Sequence, residues 1–125
     1  MSDARSLTAA TILYGIPNCD TVKKARTWLE QQGVPFHFHD FKKAGLSADV
    51  VDAWLKHVDW EVLVNRKGTT WRALDDAAKA AVVDAAGARA LMLTSTSVIK
   101  RPVLVFKGVA HVGFSAASYE QICAT

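Results

Sequence analysis

Apolar and polar positions alternate along this chain in two rhythms, one at each end, with a long middle that keeps to helical spacing. Thr11-Ile-Leu-Tyr-Gly-Ile16 is a short apolar run closed by Pro17, as expected of a buried strand. Val22, Ala25, Trp28 and Leu29 then recur at helical spacing, with Asp20 or Thr21 as the cap and Gly33 at the far end. Val34–His39 returns to a period of two: Val34, Phe36 and Phe38 alternate with Pro35, His37 and His39. Strand, helix and strand with short joints form a βαβ unit, so the two strands should run parallel.

In the middle, Ser47 caps a helix over Ala48–Val58 that puts Val51, Trp54, Leu55 and Val58 on one face. Asn65–Trp71 reads as a polar, basic loop containing Gly68. Asp75–Ala86 is alanine-rich and helical, and Arg89–Thr94 adds a further turn or two. After Lys100-Arg-Pro102, the β runs Val103–Phe106 and Val109–Val112 flank Lys107-Gly108, the signature of an antiparallel hairpin. Ser115 caps a final helix through Ile122. The order is β-α-β, a helical insertion over about 47–95, then β-β-α. That is the layout of an α/β, thioredoxin-like fold with a small mixed sheet. With no internal repeat and no linker, the 125 residues read as one domain, the first ten of them flexible.

Composition narrows the function. The net charge of +3 is spread along the chain, whereas a nucleic-acid binder concentrates its basic residues in a stripe. Trp28, Trp54, Trp60 and Trp71 are too dispersed for a stacking platform; Trp28 and Trp54 fit helix faces, and Trp71 stands beside the basic loop. Two cysteines, Cys19 and Cys123, are too few for a secreted disulfide scaffold. No stretch reaches membrane-spanning length, and no signal segment is evident. A cytoplasmic monomer without nucleic-acid or membrane partners is expected. His37 and His39 share a strand face beside Asp40, but no third ligand stands at a diagnostic spacing, so no metal is expected.

The chemistry centres on Pro17-Asn-Cys-Asp-Thr21, between the first strand and the first helix. Free amides and the positive end of the helix dipole favour an anion there, so Cys19 should be a thiolate nucleophile. Asn18, Thr21 and the local amides would hold the sulfur. Lys23, Lys24 and Arg26 crowd the first turns, where cations are unfavourable unless they serve an anion. Arg101-Pro102 directly precedes a strand expected beside the first one, which makes it a candidate cis peptide. Arg101 would then offer a planar donor fork to an oxyanion or carboxylate. Cys123, near the end of the last helix, reads as an apolar filler or frayed-end thiol, away from the Cys19 mouth.

Three segments together resemble the ArsC/Spx/YffB family: Tyr14-Gly-Ile-Pro-Asn-Cys-Asp-Thr-Val-Lys-Lys-Ala-Arg26, Asn65-Arg-Lys-Gly-Thr-Thr-Trp71 and Ile99-Lys-Arg-Pro-Val103. The likeness runs from about Thr11 to about Phe114 and is strongest to the YffB-like branch. It implies a thioredoxin fold related to glutaredoxin-coupled arsenate reductase. It also implies that Cys19 matches the nucleophile, Arg66 a basic residue of the middle loop, and Arg101 the arginine before a cis-proline. Asp20-Thr21-Val22-Lys23 stands where arsenate reductases carry a Gly-Thr-Ser-Arg-like stretch, which argues against arsenate as the substrate. Val22 also removes the Cys-x-x-Cys switch of Spx-type regulators. The function so implied is a glutathione-dependent thiol reductase with no tightly bound cofactor. Glutathione is the co-substrate and glutaredoxin a further partner, with Arg101, Arg66, Lys23 and Pro102 around the substrate. The alternatives are a glutaredoxin-coupled arsenate reductase and a non-catalytic, Spx-like binding protein.

Overall fold

The computed structural model describes residues 11–124; the first ten residues, expected to be flexible, lie outside them. Strand β1, Ile12–Gly15, lies inside the sheet with a neighbour on each side. Helix α1, Asp20–Gln31, follows and ends as the glycine predicted. Gly33 takes φ +69°, its N–H donates to Glu30 O, and the Val34 N–H donates to Leu29 O, so two carbonyls at the helix end are satisfied. That use of Val34 also explains why β2 covers His37–Asp40 and not the expected Val34–His39. Val34 is occupied closing the helix, and Pro35 has no N–H to offer a ladder.

The expected hairpin is present as β3, Val103–Phe106, and β4, Val109–Val112. Lys107 and Gly108 both take positive φ, 51° and 81°, the conformation of a tight two-residue hairpin turn. Among the described residues the sheet has the order β2-β1-β3-β4. β1 runs parallel to β2 and antiparallel to β3, with Leu13 opposite both Phe38 and Leu104. The fold is thioredoxin-like.

Period-two alternation divides the core between the two faces of this sheet. On one face Leu13 and Leu104 join Ala25 and Leu29 of α1 and Tyr119 of the last helix, α8, Ala116–Cys123. Ser115 caps α8 in a reciprocal box with Ser118, as its position predicted. On the other face Tyr14, Val103 and Ala110 meet the helical insertion through Phe41, Trp54, Leu63 and Met92. Trp54 is buried, and Trp28 and Trp71 are partly buried against the two clusters, so Trp71 is a packing residue.

The insertion is more broken than its apolar spacing suggests. A short helix α2, Phe41–Ala44, precedes it, capped by Asp40, whose carboxylate accepts from Lys42 N and Lys43 N. Ser47 caps α3, Ala48–Leu55, as expected, though the helix stops before Val58. Two single-turn helices follow, α4, Trp60–Leu63, and α5, Thr69–Arg72, so the predicted loop over Asn65–Trp71 is half helical. The continuous helix expected over Asp75–Ala86 is instead α6, Asp76–Ala80, and α7, Ala85–Thr94. The break is imposed by Asp84, whose carboxylate accepts from Gly87 N at 2.9 Å and starts a new helix. His39 and Asp40 are likewise committed locally: His39 Nε2 lies 2.8 Å from Gly45 O, and its ring packs on Tyr14. No group of three metal-ligating side chains occurs among the described residues.

Replacing Gly33 with Ala forces a β-carbon into the left-handed region and should lower stability by about 1 kcal/mol. Urea denaturation measures it, with an unchanged slope expected.

Candidate active site

The candidate nucleophile, Cys19, sits one place earlier in the helix than the capping expectation allowed. Cys19 itself is the N-cap, with extended φ/ψ of −104° and 124°, and neither Asp20 nor Thr21 caps α1. At an N-cap, a side-chain acceptor normally takes the orphan amides of the second and third helical residues. Here no side-chain oxygen does so, and the half-buried sulfur faces the Thr21 and Val22 N–H groups. Burial pushes the thiol up, but the Val22 amide, the Arg101 guanidinium and the Thr21 amide together outweigh it, and the net shift is downward. Burial alone acts on Cys123 and pushes its thiol up. The two thiols therefore ionise in opposite directions from the ordinary value.

Arg101 arrives from the other side of the fold. The Arg101–Pro102 peptide is cis, as its place before β3 suggested, and Pro102 is buried. Pro102 O accepts the Gly113 N–H at 2.8 Å, which ties this loop to the residue after β4. One guanidinium nitrogen of Arg101 reaches Ser97 O at 3.4 Å, while its Nε is buried without a hydrogen-bond partner. A buried donor left unmade costs about 1–3 kcal/mol. Such a donor, next to a thiol biased toward its anion, fits an acceptor supplied by a ligand.

A further constraint comes from Gly15. A β-carbon there would stand 2.8 Å from Val22 Cγ2, so the end of β1 meets the first turn of α1 without room for any side chain. Gly15 thus sets the position of Val22, whose amide acts on the sulfur.

The remaining predicted residues are dispersed around this centre. Asn18 is exposed and lines a hollow with Ile16, Pro17, Asp40, Lys42 and Lys43. Lys23 and Lys24 lie on the outer side of α1 beside Trp28 and Phe114. Arg26, expected to serve the helix mouth, instead stacks over the Phe38 ring at 4.2 Å. Arg66 pairs with Glu61 at 3.4 Å and lies 5.6 Å from the Trp60 ring centroid; it borders a basic hollow of about 290 Å³ with Lys67 and Lys100. The guanidinium acting on the thiol is that of Arg101.

Residues 14–122 match the model of the ArsC family. The chain belongs to the ArsC family. A protein from Haemophilus influenzae is 37% identical over 108 residues, 86% of this chain and 94% of that one. The solved structure of a YffB protein is 45% identical with a TM-score of 0.86, covering 90% of this chain and 98% of that chain. An arsenate reductase (ArsC) related protein from Brucella melitensis is 51% identical with a TM-score of 0.71, covering 93% and 96%.

Two parts of this site escaped the reading of the sequence, which did expect the helix-mouth amides to hold the sulfur. Gly15 left a trace, a glycine inside an apolar strand run, which signals close backbone approach. Ser97, whose carbonyl anchors Arg101, left none, because backbone groups carry no residue-type signature.

In a Cys123→Ser background, alkylation of Cys19 should titrate with a midpoint below the free-thiol value of about 8.5. Arg101→Gln should move that midpoint upward, because it removes both a hydrogen bond and a charge that favour the thiolate. Gly15→Ala should raise it too and slow alkylation at neutral pH, by displacing Val22; iodoacetamide rates across pH measure both variants.

Proposed function

We propose that this chain is a glutathione-dependent thiol reductase, a thiol–disulfide oxidoreductase whose nucleophile is Cys19. The observation that carries this reading is the buried, unpartnered Nε of Arg101 beside a thiol held below its ordinary pKa. Membership of the ArsC family and the arsenate reductase-related relative support thiol-based reduction as the class of reaction.

The Cys19 thiolate attacks the glutathionyl sulfur of a mixed disulfide, forming a Cys19–glutathione disulfide. The S–S bond of the substrate breaks, and its other sulfur leaves as a thiolate that takes a proton from solvent. A glutathione thiolate then attacks the glutathionyl sulfur, regenerating the Cys19 thiolate and releasing oxidised glutathione. The incoming glutathione sulfur is thereby oxidised from thiol to disulfide level as the substrate sulfur is reduced to a thiol, while the transferred glutathionyl sulfur stays at disulfide level throughout. Cys123 is a poor resolving thiol, since it packs in α8 against the Leu13–Tyr119 cluster and burial raises its pKa. An external thiol fits that second step, and glutaredoxin is an alternative donor.

Glutathione carries two carboxylates, and Arg101 beside the thiol supplies the cation for one. Lys23, one turn along α1, and Arg66, once released from Glu61, are the candidates for the other, with Asn18, Thr21 and Pro102 around the sulfur. No tightly bound cofactor is needed. The chemistry suits a reducing compartment such as the cytoplasm, with the protein acting as a monomer. No described helix is long and apolar enough to cross a membrane.

Turnover of a glutathionylated peptide, followed by formation of oxidised glutathione, should vanish in Cys19→Ser. It should fall about ten- to a hundredfold in Arg101→Gln, the loss of a hydrogen bond to a charged group. Full turnover in Cys19→Ser would sink the mechanism. Arsenate-dependent oxidation of glutathione with no disulfide turnover would instead favour an arsenate reductase. Absence of both, with a protein partner retained by Cys19→Ser, would favour a binding role.

A further inference from the structure

One turn along α1 from Cys19, a hollow of about 330 Å³ opens on the outer side of the molecule, lined by Lys23, Lys24, Thr27, Trp28, Gln31 and Phe114. Its two aromatic walls are fixed from beneath. Trp28 meets the ring of Tyr119 edge-on at 5.7 Å and 88°, and Phe114 meets the same ring at 4.7 Å and 84°. Tyr119 is fully buried, so both walls rest on the core and the hollow is formed before any ligand arrives.

Both sides of the hollow are also tied to the reactive centre. The Lys23 N–H donates to Cys19 O at 2.9 Å. Phe114 follows Gly113, whose N–H donates to Pro102 O in the loop that carries Arg101. The walls of the hollow are thus joined by backbone hydrogen bonds to the segments that carry Cys19 and Arg101.

The lining chemistry selects the occupant. Trp28 and Phe114 give flat apolar surface, Lys23 and Lys24 give two positive charges, and no acidic residue takes part. Neither lysine forms an ion pair among the described residues. Cations near the start of a helix are unfavourable against its dipole, so an anion between them relieves two repulsions. Aromatic faces with adjacent cations suit a planar apolar group bearing a carboxylate or sulfonate.

We propose that the Lys23–Lys24–Trp28–Phe114 hollow is a binding subsite for an aromatic carboxylate, the part of a small-molecule acceptor that lies beyond its reacting sulfur. As a specificity subsite it rests on the thiol-reductase reading; as a binding site it stands without it.

The test uses full-length Cys19→Ser protein, which removes thiol chemistry, titrated with 2-naphthoate and followed by ¹H–¹⁵N NMR. The largest shifts are expected at the amides of residues 23–31 and 113–116. The Lys23→Gln/Lys24→Gln double variant, confined to exposed side chains, should weaken binding about three- to tenfold, the scale of two exposed charge contacts. Uncharged 2-naphthamide should bind the parent protein more weakly by a similar factor and be indifferent to the double variant. Shifts centred elsewhere, no saturable binding, or equal affinity for acid and amide would overturn the subsite. Naphthoate binding at the hollow in a protein whose wild type lacks disulfide turnover would refute the proposed reaction and leave the subsite standing. Disulfide turnover with no naphthoate at the hollow would do the reverse.

Discussion

Everything at the candidate site depends on the pairing of β1 with β3. The two strands lie antiparallel, with Tyr14 opposite Val103, so the chain leaving β1 and the chain approaching β3 share one end of the sheet. The first carries Cys19 into the mouth of α1, and the second delivers Arg101 through the cis peptide before Pro102. More than eighty residues of sequence separate the two groups, and one backbone ladder makes them neighbours. The ladder is held from both faces, because Leu13 and Leu104 pack toward α1 and α8 while Tyr14 and Val103 pack toward the insertion.

The thiol is governed by a balance of opposed effects. Partial burial favours the neutral form, and the helix-mouth amides and one guanidinium favour the anion. The second group wins because its members point at the sulfur from fixed positions: amides set by α1, a guanidinium anchored on Ser97 O. Position matters more here than the number of cations. Arg26, only seven residues from Cys19, is diverted onto Phe38, and Arg66 is engaged by Glu61. A net charge of +3 thus says little about where positive potential is felt.

The chain's own breaks explain where the sequence reading was sharp and where it blurred. Capping is local, so Ser47, Gly33, Ser115 and the Lys107-Gly108 turn were legible from a few neighbouring residues. The alanine-rich stretch after Asp75 was not, because alanine fits a helix everywhere and gives no signal for its interruption. The interruption comes from the Asp84 cap and from Gly87, where a β-carbon would collide with the Ala81 carbonyl across the turn. Likewise β2 began late because Val34 had a competing hydrogen bond.

The sequence by itself determined the order of strands and helices, the parallel start, the hairpin, and a cysteine at a helix mouth, and it marked Arg101–Pro102 only as a candidate cis peptide, which the structure decided. Those features rest on periodicity, capping and turn chemistry, which act over a few residues. Only the tertiary structure decided which cation reaches the sulfur, that Cys19 is itself the cap, and that Gly15 must lack a side chain for Val22 to fit. Only it gathered Trp28, Phe114 and two lysines around one hollow. These depend on contacts between segments distant in the chain, and on packing that no local pattern encodes.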